Sequence, residues 1–328
     1  MKLTIAIPTF MRDGKLLDTI SRVHASSLPF RNTNDISFLI VDNHQRRKDE
    51  VKLHDLICQR FGDSIDIRVV SNNVNIGASA NILRLIENCD DGWVWFLGDD
   101  DMPGEDCIQI ILDTAGSENA IFGAVKFDSD LYSKQSIDQQ IFSSDELLSK
   151  EKLTIHYFSN LMFLSTWVFR VDCIRGGIAD LYRYTGSYAP QLFAAFEVLR
   201  KNKSVLLSKR MLVKSTPGEW VGTIVHNYLY EHIRTSHYNL STDSIRRLRK
   251  VIFFEKFLFI CPGRVFRAQS VFGPHLSERI ICGTDSVPRV SYIASKILIS
   301  LLSIAVKFLP KKWNMLAAKA ENGNLGRH

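Results

Sequence analysis

Three consecutive carboxylates, Asp99, Asp100 and Asp101, follow Gly98 and the apolar run Trp93-Val94-Trp95-Phe96-Leu97. Carboxylates crowded at one point repel one another unless a cation lies between them. Hard oxygen ligands of this kind suit Mg2+ or Mn2+, which in turn bind phosphates. A plainer reading competes: Asp99 to Pro103 has the composition of a helix start, where Asp caps free N–H groups and Pro fits the first turn. Other polar residues at comparable points favour the first reading. Pro8-Thr9 follows Leu3-Thr4-Ile5-Ala6-Ile7, Asp42-Asn43 follows Phe38-Leu39-Ile40-Val41, and Ser71-Asn72-Asn73 follows Ile65 to Val70.

Each of those apolar runs reads as a buried strand. Between them the spacing predicts helices over Asp13 to Ser26, Val51 to Phe61 and Asn75 to Asn88. Strands alternating with helices argue for an α/β fold with a parallel sheet. Ligands of such sheets bind beyond the carboxyl ends of the strands, where all four polar sites would lie. Further on, Ile108 to Leu112 reads as a helix, Ala120 to Phe127 as a strand, and Ser129 to Lys152 as a polar loop. Leu161 to Val171 reads as another strand, Tyr188 to Lys201 as a helix, and Ser204 to Leu207 with Met211 to Val213 as strand. From Trp220 onward the pattern is mostly helical. The organisation expected is a nucleotide-binding sheet domain over residues 1–215 and a mostly helical region over 216–328.

The 328 residues and 45% hydrophobic content suit a globular protein with a substantial core. The net charge of +6 favours anionic partners without choosing among nucleotides, phospholipids and nucleic acid. Arg246-Arg247-Leu248-Arg249-Lys250 has no aromatic interleaving, so nucleic acid is not the expected partner. Six scattered cysteines without metal spacing read as reduced thiols of a cytoplasmic protein. No signal peptide is expected at the N-terminus. Residues 291–313 form a basic apolar stretch. Tyr292 to Leu309 is interrupted by Lys296 and Lys307 and followed by Lys311-Lys312-Trp313, which suits a helix lying in a membrane interface better than one crossing it. The alternative is a core or oligomer-interface helix. The Arg246 to Lys250 cluster would add attraction to an anionic leaflet.

Four segments, taken in order, resemble the glycosyltransferases of family 2. They are Ile5-Ala6-Ile7-Pro8-Thr9-Phe10-Met11-Arg12, Ile40-Val41-Asp42-Asn43, Asn75-Ile76-Gly77-Ala78-Ser79-Ala80-Asn81, and Phe96-Leu97-Gly98-Asp99-Asp100-Asp101. The likeness covers about the first 130 residues and continues weakly through Leu164 to Arg170. It implies a GT-A fold and inverting transfer of one sugar from a nucleotide-sugar, a UDP-sugar being favoured. The acceptor implied is a saccharide, lipid-linked, as in the abequosyltransferase-like enzymes of bacterial surface polysaccharide such as O-antigen or capsule. The location implied is the cytoplasmic face of the inner membrane. Nucleotide-sugar contacts are expected from Pro8, Thr9, Arg12, Asp42, Asn43, Asn75, Gly77, Asn81, Asp99 and Asp100. Where the family's longer metal motif has a leading Asp, this chain has Gly98. The metal therefore falls to Asp99 and Asp101, which alternation along an extended segment puts on one side. Mn2+ or Mg2+ is the implied cofactor.

An inverting transferase needs a base for the acceptor hydroxyl. Many family members carry an acid at the start of the helix after the acceptor-site strand, but here that start is Tyr188-Ala189-Pro190-Gln191. The substitutes are Asp180 and Glu197, each also readable as a plain surface carboxylate. His226, His232 and His237 offer a further metal ligand or ordinary histidines. Trp220 offers a stacking face for an acceptor sugar or ordinary packing. The missing base keeps a catalytically degenerate nucleotide-sugar scaffold as an alternative. A nucleotidyltransferase is the other, although its glycine-rich phosphate loop is absent after the first strand.

Overall fold

The centre of the sheet is assembled from segments buried on both faces, Leu3 to Ile7, Phe38 to Val41 and Trp93 to Phe96. A computed structural model describes residues 1–44, 51–116, 121–130, 138–149, 155–214, 229–230 and 232–251. In chain order the strands are β1 (Lys2–Thr9), β2 (Asp35–Asp42), β3 (Ile67–Ser71), β4 (Trp93–Phe96), β5 (Met102–Pro103), β6 (Phe122–Asp128), β7 (Gln139–Ile141), β8 (Trp167–Arg170), β9 (Ser204–Met211) and β10 (Val213–Lys214). Eight of them form one sheet in the order β3-β2-β1-β4-β8-β6-β9-β7, and β5 pairs with β10 in a small second sheet. The pairs β1–β2, β2–β3 and β1–β4 are parallel. The strand β8 runs antiparallel to both β4 and β6, so β4 and β6 point the same way. Leu3, Ile5, Ala6 and Ile7 of β1 have no exposed surface, as expected of a strand covered on both faces.

The helices are α1 (Asp13–Ser27), α2 (Leu53–Phe61), α3 (Ala78–Asn88), α4 (Cys107–Ala115), α5 (Ser144–Ser149), α6 (Ile155–Leu161), α7 (Val171–Ile174), α8 (Ile178–Tyr182), α9 (Pro190–Arg200) and α10 (Thr242–Lys250). The α1 stripe Leu16, Ile20 and Val23 is buried in the sheet's main apolar cluster. Helix α9 starts with Pro190 in its first turn and is buried from Pro190 to Leu199. A helix buried on every side belongs to the interior of the domain.

Two segments differ from the sequence reading. Leu161 to Val171 is not one strand: α6 runs through Leu161, a 3-10 turn covers Leu164–Thr166, and only Trp167–Arg170 is extended. The indole N–H of Trp167 reaches back to the Leu161 carbonyl at 2.9 Å and holds that bend. The polar stretch after Ser129 contains β7, which exists by pairing with β9, and α5, whose Glu146 carboxylate accepts from the Phe142 N–H at 2.8 Å. Cys58, Cys89, Cys107 and Cys173 are free thiols, and Cys261 and Cys282 lie outside the described residues. Among the described residues no helix is long and apolar enough to cross a membrane. Trp220, His226 and the 291–313 stretch also lie outside them.

Candidate functional site

Strand β4 delivers the three aspartates to the carboxyl rim of the sheet, and four neighbouring elements fix them there. From β1, the buried Thr9 Oγ1 donates to Asp99 Oδ2 at 2.7 Å. From the loop after β1, Arg12 Nη1 bridges Asp99 Oδ1 at 3.1 Å and Asp100 Oδ2 at 2.9 Å. From α1, the buried Thr19 Oγ1 contacts the carbonyls of both Asp99 and Asp101 at 3.2 Å. From the turn before β8, Ser165 Oγ donates to Asp101 Oδ2 and accepts from the Gly98 N–H at 2.7 Å. The Trp95 indole N–H donates to the Ser165 carbonyl at 2.8 Å, so the core of β4 sets the position of Ser165.

Gly98 now has a steric reason. A Cβ there would lie 2.6 Å from Asp101 Oδ2. A side chain at position 98 would require the Asp101 carboxylate to move from this orientation.

The electrostatics follow from burial. Asp101 is pushed up to about 6, first by desolvation, with the charges of Asp100, Asp99 and Asp130 adding and the Ser165 hydrogen bond opposing. Asp99 is also raised by burial, against the Thr9 hydrogen bond and the Arg12 charge. Two desolvated, mutually repelling carboxylates are a donor set that a divalent cation would relieve. Among the described residues no group of three or more His, Cys, Asp or Glu is placed to hold a metal ion. A cation shared with phosphates needs only one or two protein carboxylates, so the residues present fit Mg2+ or Mn2+.

Beside the aspartates lies a net of amides. The fully buried Asp42 accepts from the His44 N–H at 3.0 Å, an Asx-type turn at the end of β2. Asn43 Oδ1 accepts from Asn72 Nδ2 at 3.0 Å and from the Ile76 N–H at 2.9 Å, and Asn43 Nδ2 donates to Asn75 Oδ1 at 2.7 Å. Asn75 Oδ1 also accepts from the Gly77 N–H at 2.9 Å. Asn72 Nδ2 donates to Asn81 Oδ1 at 2.8 Å, and Asn81 Nδ2 donates to the Val41 carbonyl at 3.0 Å. Asn81 is therefore a buried brace rather than an open contact for a nucleotide. Gly77, with φ of +84° and open space where a Cβ would sit, is required by its backbone angle and not by packing.

The candidate bases fare differently. Glu197 is completely buried. Its carboxylate takes a two-pronged grip from Arg200, Nε at 2.9 Å and Nη2 at 2.7 Å, with Lys201 at 3.9 Å. Gly177 leaves the room it occupies. An acceptor hydroxyl has no path to it, so Glu197 is a structural ion-pair partner. Asp180 is partly exposed and faces Arg183 Nη1 at 3.2 Å and His237 Nε2 at 3.9 Å. His237 Nδ1 contacts the Tyr184 hydroxyl at 2.8 Å and the His232 ring meets Tyr184 edge-on, so these histidines surround a tyrosine rather than the aspartates. The start of α9 is buried at Ala189, Pro190 and Gln191.

Sequence reasoning missed Thr19, Ser165 and Asn72. Ser165 lies inside the weakly matching Leu164 to Arg170 segment, the one signal that could have found it. Nothing in a helix pattern marks Thr19, and Asn72 was visible only as a strand-end amide.

Residues 4–177 match the family model described as glycosyl transferase family 2. Among solved structures the chain is similar to S. aureus TarS 1-349 in complex with UDP-GlcNAc, with a TM-score of 0.53 at 12% identity over 86% of this chain and 84% of that one. The same fragment in complex with UDP gives 0.51 at 14% identity over the same shares. A longer S. aureus TarS structure gives 0.51 at 13% identity, over 94% of this chain and 53% of that one. At such identities the likeness is one of fold. No curated protein matches the chain in sequence.

Proposed function

Because the chain belongs to glycosyl transferase family 2, and is thus a glycosyltransferase of mixed α/β, GT-A architecture, we propose that it transfers one sugar from a nucleotide-sugar to a saccharide acceptor with inversion. The observation that carries this reading is the joining of Asp99 to the Asp42–Asn43 rim through Thr9, which donates to Asp99 and stands opposite Asp42 at the end of the β1–β2 pairing, with Asp101 two residues further along the same motif. The nucleoside is assigned to the β2 and β1 end of the rim, with Asp42, Asn43, Pro8 and Thr9 at its floor. The diphosphate is assigned to the Asp99–Asp101 end, where Arg12 supplies a cation. Asn75 and Gly77 shape the loop between them, and Asn72 and Asn81 hold it.

Mn2+ or Mg2+ is proposed as cofactor on Asp99 and Asp101. Bound there, the ion supplies Lewis-acid charge for the departing diphosphate. Asp100, on the exposed side of the motif, is free of that role and is assigned to the sugar or to holding Arg12. UDP is the favoured nucleotide, supported by the TarS fragment having been solved with UDP-GlcNAc and with UDP.

A lipid-linked acceptor in bacterial surface polysaccharide synthesis, and peripheral contact with the cytoplasmic face of a membrane, extend this reading. What supports them is the basic helix α10, with Arg246 and Arg247 exposed and Leu248 buried, together with the composition of residues 291–313. We assign the transferase chemistry to residues 1–215.

The test is release of nucleoside diphosphate from a panel of nucleotide-sugars with Mn2+ or Mg2+. Metal-dependent release from one donor, lost in Asp101→Ala, is expected. Binding of nucleotide-sugar without any turnover, with every acceptor offered, would favour the scaffold alternative.

A further inference from the structure

An inverting displacement spreads its groups along a line: the leaving group lies on one side of the anomeric carbon and the incoming hydroxyl on the other. The strand order supplies such a line. Asp42 and Asn43 end β2, Thr9 ends β1, Asp99 to Asp101 follow β4, and beyond them come β8 and β6. With nucleotide and diphosphate over β2, β1 and β4, the acceptor side is that of β8 and β6. Neighbouring strands are about 4.8 Å apart. The end of β6, two strands over, is thus on the order of 10 Å from the aspartates, room for an anomeric carbon and a hydroxyl between.

Strand β6 points the same way as β4, so its carboxyl end opens on the same rim. Its Lys126 stands opposite Trp167, two residues after the Ser165 that holds Asp101. Four residues past Lys126 comes Asp130. The turn that delivers it is anchored by buried groups. Asp128 Oδ1 accepts from the Ser129 N–H at 2.9 Å and from Asn160 Nδ2 at 3.5 Å, while Ser129 Oγ donates to Asn160 Oδ1 at 2.8 Å. Asp128 and Ser129 are buried; Asp130, the next residue, is exposed.

We propose that Asp130 is the general base of the transfer, a role that rests on the transferase reading above and fills the place left without an acid at Ala189-Pro190-Gln191. The Asp130 carboxylate takes the proton of the acceptor hydroxyl as the hydroxyl oxygen bonds to the anomeric carbon. The bond from that carbon to the phosphate oxygen breaks, and its electron pair leaves with the nucleoside diphosphate. A base so placed contributes about 10²- to 10⁴-fold in rate.

The test compares wild type, Asp130→Asn and Asp180→Asn, using the nucleotide-sugar that wild type cleaves fastest with Mn2+ and water as acceptor. Two quantities are read: turnover, and affinity for UDP with Mn2+. Asp130→Asn is expected to lose about 100-fold or more in turnover while UDP affinity stays within about threefold, a difference of under about 0.7 kcal/mol. Azide, a nucleophile with no proton to lose, is expected to restore donor cleavage in Asp130→Asn and to give a glycosyl azide. The proposal is overturned by near-wild-type turnover in Asp130→Asn, by a parallel loss of UDP affinity, by absence of azide rescue, or by a collapse confined to Asp180→Asn. A wild type that neither binds UDP nor cleaves any donor removes the transferase reading and this proposal together. An active wild type with an active Asp130→Asn removes only this proposal.

Discussion

Asn72 is the hub of the amide net, and its removal has a magnitude that can be worked out. Its side-chain nitrogen donates to Asn43 Oδ1 at 3.0 Å and to Asn81 Oδ1 at 2.8 Å, both in buried surroundings. Asn72→Ala deletes both bonds, at about 1 kcal/mol each. Asn43 Oδ1 keeps the Ile76 N–H, but Asn81 Oδ1 is left buried without this donor, which adds a desolvation cost of about 1 to 3 kcal/mol. The expected destabilisation is about 3–5 kcal/mol, a large share of the ~5–15 kcal/mol that holds an ordinary domain. At roughly 2–4 °C per kcal/mol, the melting temperature should fall by about 6–20 °C. The bonds also set where Asn43 stands on the rim, so UDP affinity should drop by up to about tenfold, or 1.4 kcal/mol. Asn72→Asp should be worse than Asn72→Ala, because it places a buried carboxylate against two amide oxygens. The assay is urea and thermal unfolding of the three proteins, with UDP titration at a temperature where all are folded. A melting temperature within about 2 °C of wild type, with unchanged UDP affinity, would refute the claim that this net holds the nucleotide rim.

Three further perturbations have stated outcomes. Gly98→Ala puts a Cβ 2.6 Å from Asp101 Oδ2 and must turn that carboxylate away from Ser165. Turnover should therefore fall at least about tenfold, more than 1.4 kcal/mol of transition-state stabilisation, while far-UV circular dichroism and urea midpoint stay near wild type. Thr9→Val removes the hydrogen bond to Asp99, a neutral-to-ionised contact of about 1.5–3 kcal/mol, and should weaken Mn2+-dependent UDP binding more than it weakens UDP binding in EDTA. Lys126 is buried, with Nζ donating to the Phe127 carbonyl at 2.7 Å, and burial carries its pKa well below the ordinary value against the pull of Asp128. The unfolded chain therefore binds a proton that the folded chain resists, so stability should rise with pH between the lowered folded pKa and the ordinary lysine value, by up to about 1.4 kcal/mol per pH unit. Urea unfolding from pH 7 to pH 9.5 should show that slope in wild type and lose it in Lys126→Met.

The N-terminal half of the sheet was legible because its central strands are short apolar runs bounded by turn formers and alternate with helix-spaced segments. Leu3 to Ile7 and Trp93 to Leu97 read as buried strands and are so. The segment Leu161 to Val171 misled for the same reason: an apolar run carries no period that separates a strand from a helix end and a tight turn. The indole bond from Trp167 to Leu161 decides between them, and it is a tertiary fact. Strand β7 was illegible because it owes its existence to β9. The aspartates, Thr9, Asp42 and Asn43 could be placed at strand ends from sequence, since the ends of parallel strands share one rim. The direction of each amide could not. Asn81 looked like a ligand contact and turned out to be a brace. The ion pair of Glu197 with Arg200 was within reach of sequence, as residues three apart on a helix face each other. Its complete burial was not, because that depends on Gly177 from another segment. Asp130 escaped notice as one acid in a polar stretch, and only the strand order brings it toward Asp101.

Asp99 and Asp101 are proposed to bind a divalent cation together with a nucleoside diphosphate. Calorimetric titration of UDP into the full chain, with Mn2+ and with EDTA, on wild type and on Asp99→Asn, tests it most directly. Binding should require Mn2+ and be weakened at least about tenfold, or 1.4 kcal/mol, by the substitution. Equal affinity with and without Mn2+, unchanged in Asp99→Asn, would contradict it.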